Sequence, residues 1–152
     1  MATFKLSAVA SFPEARAGTL KGKSVLIVED EPLIALHIHA ALTATGASII
    51  AATRGAEALE LIRSAEISVA VLDINLGDRD CSAICRALFH RRIPFLFHTG
   101  HANADVLKEW PEVPVLIKPA QTTEIVGRVA ALVHGTPGNA AGRHSKGTEQ
   151  AN

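Results

Sequence analysis

Cysteine is scarce in this sequence, with only Cys81 and Cys85 among 152 residues. The two lie four residues apart, and a disulfide between such positions of one helix has poor geometry. No further ligands stand at the spacing of a zinc motif, which argues against a structural zinc site. We therefore expect two buried thiols and a reducing, cytoplasmic setting.

The sequence also lacks an excess of charge and a long hydrophobic run. Lys+Arg and Asp+Glu number 15 each, and a neutral chain does not favour nucleic acid or an anionic membrane as the main partner. No apolar stretch approaches the ~20 residues of a membrane span. The apolar stretch near the N-terminus is interrupted by Lys5 and is too short for a signal peptide.

Composition divides the chain into three parts. Its length and its 48% hydrophobic content suit one domain, which we place at residues 23–135. Residues 1–22 form an N-terminal extension of mixed character. Residues 136–152 are rich in Gly, Ala, Ser and Asn, and have too little apolar surface to offset their ordering entropy, so we expect a flexible C-terminal tail.

What the sequence does contain is four short apolar runs that each end abruptly in polar residues. Continuous runs rich in β-branched residues are typical of strands buried on both faces of a parallel sheet. The runs are Val25–Val28 before Glu29-Asp30, Val69–Leu72 before Asp73, Phe95–Phe97 before His98-Thr99-Gly100, and Val115–Ile117 before Lys118-Pro119.

Helical patterns between these runs predict an α/β fold. Together with a short strand at residues 48–52, they indicate a flavodoxin-like doubly wound five-stranded parallel sheet, in the order 2-1-3-4-5, with helices on both faces. Pro32 is predicted to begin the first helix and Thr53 to cap the second. Asn103 is predicted to cap a short helix that Pro111 stops. A Rossmann half is disfavoured, because the first turn carries acids instead of Gly-x-Gly-x-x-Gly.

The carboxyl ends of parallel strands share one edge, where sites in open α/β sheets lie. Glu29, Asp30 and Asp73 should meet there, and such close like charges need neutralisation. Two cations could neutralise these carboxylates: Mg²⁺, which prefers oxygen ligands, and the ammonium of Lys118. Given a phosphate donor, this set predicts a phosphoryl-transfer site.

Each residue of this edge has a predicted role in that chemistry. Asp73 is the phosphoacceptor, because an Asp carboxylate can accept a phosphoryl group covalently. Glu29, Asp30 and Asp73 hold the metal together with the main-chain carbonyl of Asn75. The predicted phosphate-binding residues are Thr99 and Lys118.

From residue 23 to 134 the sequence resembles a receiver domain of a two-component response regulator. The motifs are Val-Leu-Ile-Val-Glu-Asp-Glu-Pro, Val-Leu-Asp-Ile-Asn-Leu-Gly-Asp, His-Thr-Gly-His and Ile-Lys-Pro-Ala. The resemblance implies an aspartyl phosphate on Asp73, Mg²⁺ at Glu29 and Asp30, and a switch hydroxyl at Thr99. It also implies that the Lys118–Pro119 peptide bond is cis.

The resemblance also implies that residues around the predicted site modulate its chemistry. Asn75 and His101 flank the site, and residues at such positions in the family govern the access of hydrolytic water. Gly100 is a further position expected to modulate the site. Many receivers place an aromatic residue three positions before the lysine, where this chain has Val115. Valine is smaller and stiff at χ1, so we expect an altered route from the switch hydroxyl to the surface.

The stretch Pro94-Phe95-Leu96-Phe97-His98-Thr99-Gly100-His101 further resembles a single-domain subgroup marked by Pro-Phe-x-Phe-Ala-Thr-Gly-Tyr. That subgroup is associated with alphaproteobacterial histidine kinases. Here His98 stands where Ala is usual, and His101 stands where Tyr is usual.

The resemblance implies a stand-alone phospho-accepting signalling protein, not a conventional enzyme, that promotes its own phosphorylation and dephosphorylation. Its expected partners are a sensor histidine kinase or histidine phosphotransfer protein and a downstream protein target. We expect no DNA-binding domain and no association with a membrane, and a homodimer is possible. One alternative is a phosphate-independent pseudo-receiver. Another is a phosphatase of the haloacid dehalogenase kind, which needs Asp-x-Asp where this chain has Asp73-Ile74-Asn75.

Overall fold

A computed structural model describes residues 19–76, 81–100 and 105–135. All five strands are parallel and form one sheet in the order β2-β1-β3-β4-β5, which confirms the predicted topology. The strands are β1 (Ser24–Val28), β2 (Ser48–Ala52), β3 (Val69–Leu72), β4 (Phe95–Thr99) and β5 (Val115–Ile117).

Helices cover both faces of the sheet, as predicted. They are α1 (Pro32–Thr43), α2 (Gly55–Ser64), α3 (Cys81–His90), α4 (Asp105–Glu109) and α5 (Thr122–His134). Alternate strand residues face two separate cores. One core contains Ile38 of α1 and Ile125 of α5, and the other contains Ile62, Leu88 and Val106 of α2, α3 and α4.

The helix boundaries follow local chemistry, with one correction. Pro32 occupies the first turn of α1, as predicted. The prediction of Thr53 as the cap of α2 is wrong, because Arg54 is the N-cap residue and its side chain makes no capping bond. The Glu57 carboxylate instead accepts a hydrogen bond from the backbone N–H of Thr53 at 3.4 Å, so the acid in the first turn satisfies a donor that precedes the helix.

Strand β5 differs from the prediction that every apolar run is buried on both faces. Leu116 is buried, but Val115 is 36% exposed and Ile117 is 47% exposed. Both lie on the α4 side of the sheet, since Val115 pairs with Phe97 and Ile117 with Thr99. The five-residue α4 is too short to cover this edge strand, so the two side chains on that face of β5 are partly exposed to solvent.

A short fourth helix before Pro111 agrees with the prediction. Its C-terminal neighbour Trp110 packs against Phe89 and Phe95, with ring centroids 5.6 and 5.8 Å apart.

The predicted cap Asn103, the extension up to residue 18 and the tail at 136–152 lie outside the described residues. None of the helices in the described segments combines the length and apolarity needed to span a membrane.

Candidate functional site

The backbone of β1 and β3 brings two acids together at the carboxyl edge of the sheet. Val28 pairs with Leu72, so the next residues, Glu29 and Asp73, extend neighbouring strands by one position. The Asp73 N–H donates to the carbonyl of Val28 at 2.9 Å. Alternation along the strands directs both carboxyl side chains to the α1 and α5 side of the sheet.

The ammonium of Lys118 lies between these two carboxyl groups. Its Nζ is 3.1 Å from Glu29 Oε1 and 3.1 Å from Asp73 Oδ2. Both acids are only 2% exposed, and the Lys118 side chain is 17% exposed. The lysine crosses the end of β4 to reach them, because β4 separates β5 from β3.

Burial and pairing shift the pKa values of this group. Burial raises the pKa of Glu29 from 4.5 to about 7, against the lowering effect of the hydrogen bond from Lys118, and the charge of Asp73 adds to the rise. Burial acts to lower the pKa of Lys118, but its hydrogen bonds to Glu29 and Asp73 outweigh burial and the net shift is upward. Lys118 is therefore a cation held by two acids.

The third predicted acid, Asp30, is exposed at the rim. One oxygen from each of Glu29, Asp30 and Asp73 lies within 4.8 Å of the others. Three carboxyl groups against one ammonium leave unneutralised acid at a partly open edge, which is a donor set of the kind that Mg²⁺ takes. These residues therefore fit the cation implied by the sequence.

Loop backbone fixes the orientation of the two buried acids. The Asn75 N–H donates to Asp73 Oδ1 at 3.0 Å, and the Glu31 N–H reaches Glu29 Oε1 at 3.3 Å. Asp73 therefore accepts one hydrogen bond on each carboxylate oxygen, from Asn75 and from Lys118. The Asn75 side chain is exposed beside it.

Thr99 lies at the end of β4, fully buried, and by strand alternation its side chain belongs to the opposite face of the sheet from Asp73. The Lys118 N–H donates to the Thr99 carbonyl at 2.8 Å, which joins the two strand ends. Gly100 follows and is exposed, and the Lys118–Pro119 peptide bond is cis. His101 lies outside the described residues, and Val115 is the first residue of β5, at the end of the strand away from this edge.

Sequence reasoning missed the burial of His98. Its side chain is 3% exposed, and burial, assisted by the charge of Lys118, lowers its pKa. Its place directly after the run Phe95–Phe97 was the available signal, since a residue that continues a central parallel strand is covered on either face.

A family model described as "Response regulator receiver domain" matches residues 25–130. Transcriptional regulatory protein GltR of Pseudomonas aeruginosa is 29% identical over 119 residues, which cover 74% of this chain and 49% of that protein. The chain thus spans about half the length of the curated relatives it matches.

Solved structures agree on the fold. A response regulator receiver protein from Sinorhizobium medicae superposes with a TM-score of 0.69 at 24% identity, covering 74% of this chain and 95% of that one. The receiver domain of sensor histidine kinase PA1611 from Pseudomonas aeruginosa gives 0.65 at 22% identity, covering 76% and 99%. That structure has a magnesium ion coordinated in its active site cleft.

Proposed function

The chain belongs to the response regulator receiver domain family, and on that basis we propose that Asp73 accepts a phosphoryl group from a sensor histidine kinase or a histidine phosphotransfer protein. The buried Asp73 carboxylate carries the proposal, because Asn75 and Lys118 hold its two oxygens at the sheet edge where the other acids converge. Receiver domains are phospho-accepting signalling modules, and we infer the same role here.

The transfer exchanges one bond for another. An oxygen of Asp73 bonds to phosphorus while the phosphorus–nitrogen bond of the donor phosphohistidine breaks, and the leaving imidazole nitrogen takes a proton from solvent. The product is an aspartyl phosphate, whose phosphoryl group carries about −1.5 to −2 charge in place of the single negative charge of the carboxylate. Lys118, already 3.1 Å from Asp73 Oδ2, is a cation within reach of the new phosphoryl oxygens.

Glu29, Asp30 and Asp73, with the main-chain carbonyl of Asn75, are the residues that would hold Mg²⁺. Bound there, the cation supplies charge neutralisation for the transferred oxygens. The chain itself orients the acceptor: the Asn75 N–H fixes one carboxylate oxygen, and burial excludes water from the rest of the Asp73 side chain.

The response to phosphate is assigned to Thr99 and Lys118, whose backbones are hydrogen-bonded to each other. The Thr99 hydroxyl is the proposed switch group, and Asn75, Gly100, His101 and Val115 are the proposed modulators. Output then proceeds by contact with a target protein or by passing the phosphoryl group on. We also predict that the chain acts as a stand-alone receiver and that it is located in the cytoplasm.

The subgroup marked by Pro-Phe-x-Phe-Ala-Thr-Gly-Tyr is part of the proposal. It is supported by Pro94, Phe95, Phe97 and Thr99-Gly100, while His98 and His101 depart from it. Membership predicts that an alphaproteobacterial histidine kinase phosphorylates this chain faster than a histidine kinase from another bacterial class does.

The decisive test is phosphorylation of Asp73. The purified chain is incubated with acetyl phosphate and Mg²⁺, and intact mass spectrometry is expected to detect one added phosphoryl group that alkali removes, as for an acyl phosphate. Asp73→Asn should lose the modification. Asp105→Asn, the same change at a side chain that is 97% exposed, should keep it.

Two results would contradict the proposal. Equal labelling of parent and Asp73→Asn would place the phosphoryl group elsewhere. No labelling by acetyl phosphate or by any phosphorylated histidine kinase, together with no Mg²⁺ binding, would favour the phosphate-independent pseudo-receiver.

A further inference from the structure

His98 is an unusual residue for the interior of a sheet. It is 3% exposed, and neither ring nitrogen has a hydrogen-bond partner within the described part of the chain. Buried polar groups are nearly always hydrogen-bonded, and each exception calls for an explanation. A buried donor without a partner raises the free energy of the state in which it occurs.

The sheet register places this ring beside the proposed acceptor. Leu72 pairs with Phe97, so the same register, continued by one residue, sets Asp73 beside His98. His98 in turn pairs with Leu116 on the other side. By alternation its side chain lies on the same face as the side chains of Asp73 and Lys118.

Burial first and the charge of Lys118 second lower the pKa of His98, against the opposing charge of Asp73, and so favour the neutral imidazole. A neutral imidazole carries one N–H donor and one acceptor nitrogen. In the unphosphorylated protein both oxygens of Asp73 already accept hydrogen bonds, from Asn75 and from Lys118. Within the described residues, His98 makes no hydrogen bond to either oxygen.

Phosphorylation changes that arrangement. The new negative charge lies on the phosphoryl oxygens, and the Lys118 ammonium follows it. We propose, on the basis of the proposed function, that the His98 N–H then donates to the Asp73 oxygen that Lys118 leaves. His98 is thereby a positioning residue that stabilises the phosphorylated state, whereas in the unphosphorylated state it has no partner among the described residues.

The inference is tested with beryllofluoride, a phosphoryl mimic that coordinates a carboxylate oxygen. Its affinity for the full chain is measured by calorimetry in Mg²⁺. His98→Leu removes the donor and retains apolar volume, so binding should weaken about tenfold, the effect of one lost buried hydrogen bond. His98→Asn and His98→Gln place an amide N–H near Nδ1 and Nε2 respectively, and one of them should recover most of the affinity.

Thr45→Val is the matched control. Thr45 is also buried, but its hydroxyl donates to the Leu42 carbonyl away from the site, so this variant should lose stability without losing affinity. Unfolding is measured for every variant. Should His98→Leu fail to fold, His98→Ala, which carries the side chain usual in the subgroup, replaces it.

The outcomes separate the two proposals. Binding of beryllofluoride by the parent that Asp73→Asn abolishes supports the site, and its absence from the parent overturns the proposed function. If the parent binds and His98→Leu binds equally tightly, the role of His98 is wrong. Weakening in His98→Leu that neither amide variant reverses also overturns it, since packing and not donation would then be responsible.

Discussion

Glu29→Gln tests the electrostatics of the strand-end site in the metal-free protein. The Glu29 side chain is 2% exposed, and burial raises its pKa from 4.5 to about 7. Ionising it therefore costs more free energy in the folded protein than in the unfolded chain. A tenfold change in proton affinity corresponds to about 1.4 kcal/mol, so the rise from 4.5 to about 7 is worth roughly 3 kcal/mol.

The sign of the pH dependence follows from that shift. Below the unfolded pKa of 4.5, Glu29 is protonated in both states and the contribution to stability is fully present. Between 4.5 and about 7 the unfolded chain loses its proton first, so the free energy of unfolding falls as pH rises. The Glu29→Gln variant has no such proton, and near pH ~8 it should exceed the parent in stability by up to roughly 3 kcal/mol.

The assay is urea unfolding in a chelating buffer between about pH 5 and 8, with stability extrapolated linearly to water. Trp110, the single tryptophan of the chain, reports the transition through its fluorescence. Glu66→Gln makes the same chemical change at an exposed position and should leave the parent pH profile intact. The reasoning is refuted if Glu29→Gln loses stability with rising pH as steeply as the parent does.

Two further predictions concern packing and thiol chemistry. Phe97→Ala should lower the free energy of unfolding by about 3–5 kcal/mol, because Phe97 is fully buried; Leu33→Ala, at a side chain that is 82% exposed, should change it by less than about 0.5 kcal/mol. Equal losses in urea titrations would contradict this. The side-chain hydrogen bond of the Cys85 thiol to Cys81, and burial after it, raise the pKa of that thiol, so an aromatic disulfide should modify both buried cysteines slowly in native protein and quickly in urea. Rapid modification of two thiols without denaturant would be the contrary result.

The sheet was predictable because its signal is local. The β-branched runs at Val25–Val28 and Val69–Leu72 are typical of a strand covered on both faces, and they form the buried strands β1 and β3. Once those strands are neighbours and parallel, the residues that follow each of them must lie at one edge. The meeting of Glu29 with Asp73 was therefore implied by chain order, before any side chain was placed.

Features that depend on the surroundings of a strand were not predictable in the same way. Val115 and Ile117 have the composition of a buried strand, yet they are partly exposed because β5 is at the edge and α4 has five residues. Thr53 has the chemistry of a helix cap, but the chain positions Glu57 to bond its N–H instead. In both cases a neighbouring element decided between outcomes that the local residues allow equally.

The ion pairs within the site also could not be predicted from the sequence, because they depend on how the side chains pack. Lys118 was assigned to the edge from its place after β5, but its simultaneous contact with Glu29 and Asp73 depends on its side chain crossing over β4. The missing partners of His98 are likewise a property of packing, since imidazole in a sequence carries no indication of whether its nitrogens will find acceptors.

The end of β4 joins the two faces of the sheet. His98 and Thr99 are consecutive, so their side chains lie on opposite faces: His98 with Asp73 and Lys118, and Thr99 with the exposed residue Ile117 that pairs with it. A shift of the β4 backbone at Thr99 therefore also displaces His98, its neighbour in the chain, on the face of the sheet that α1 and α5 cover.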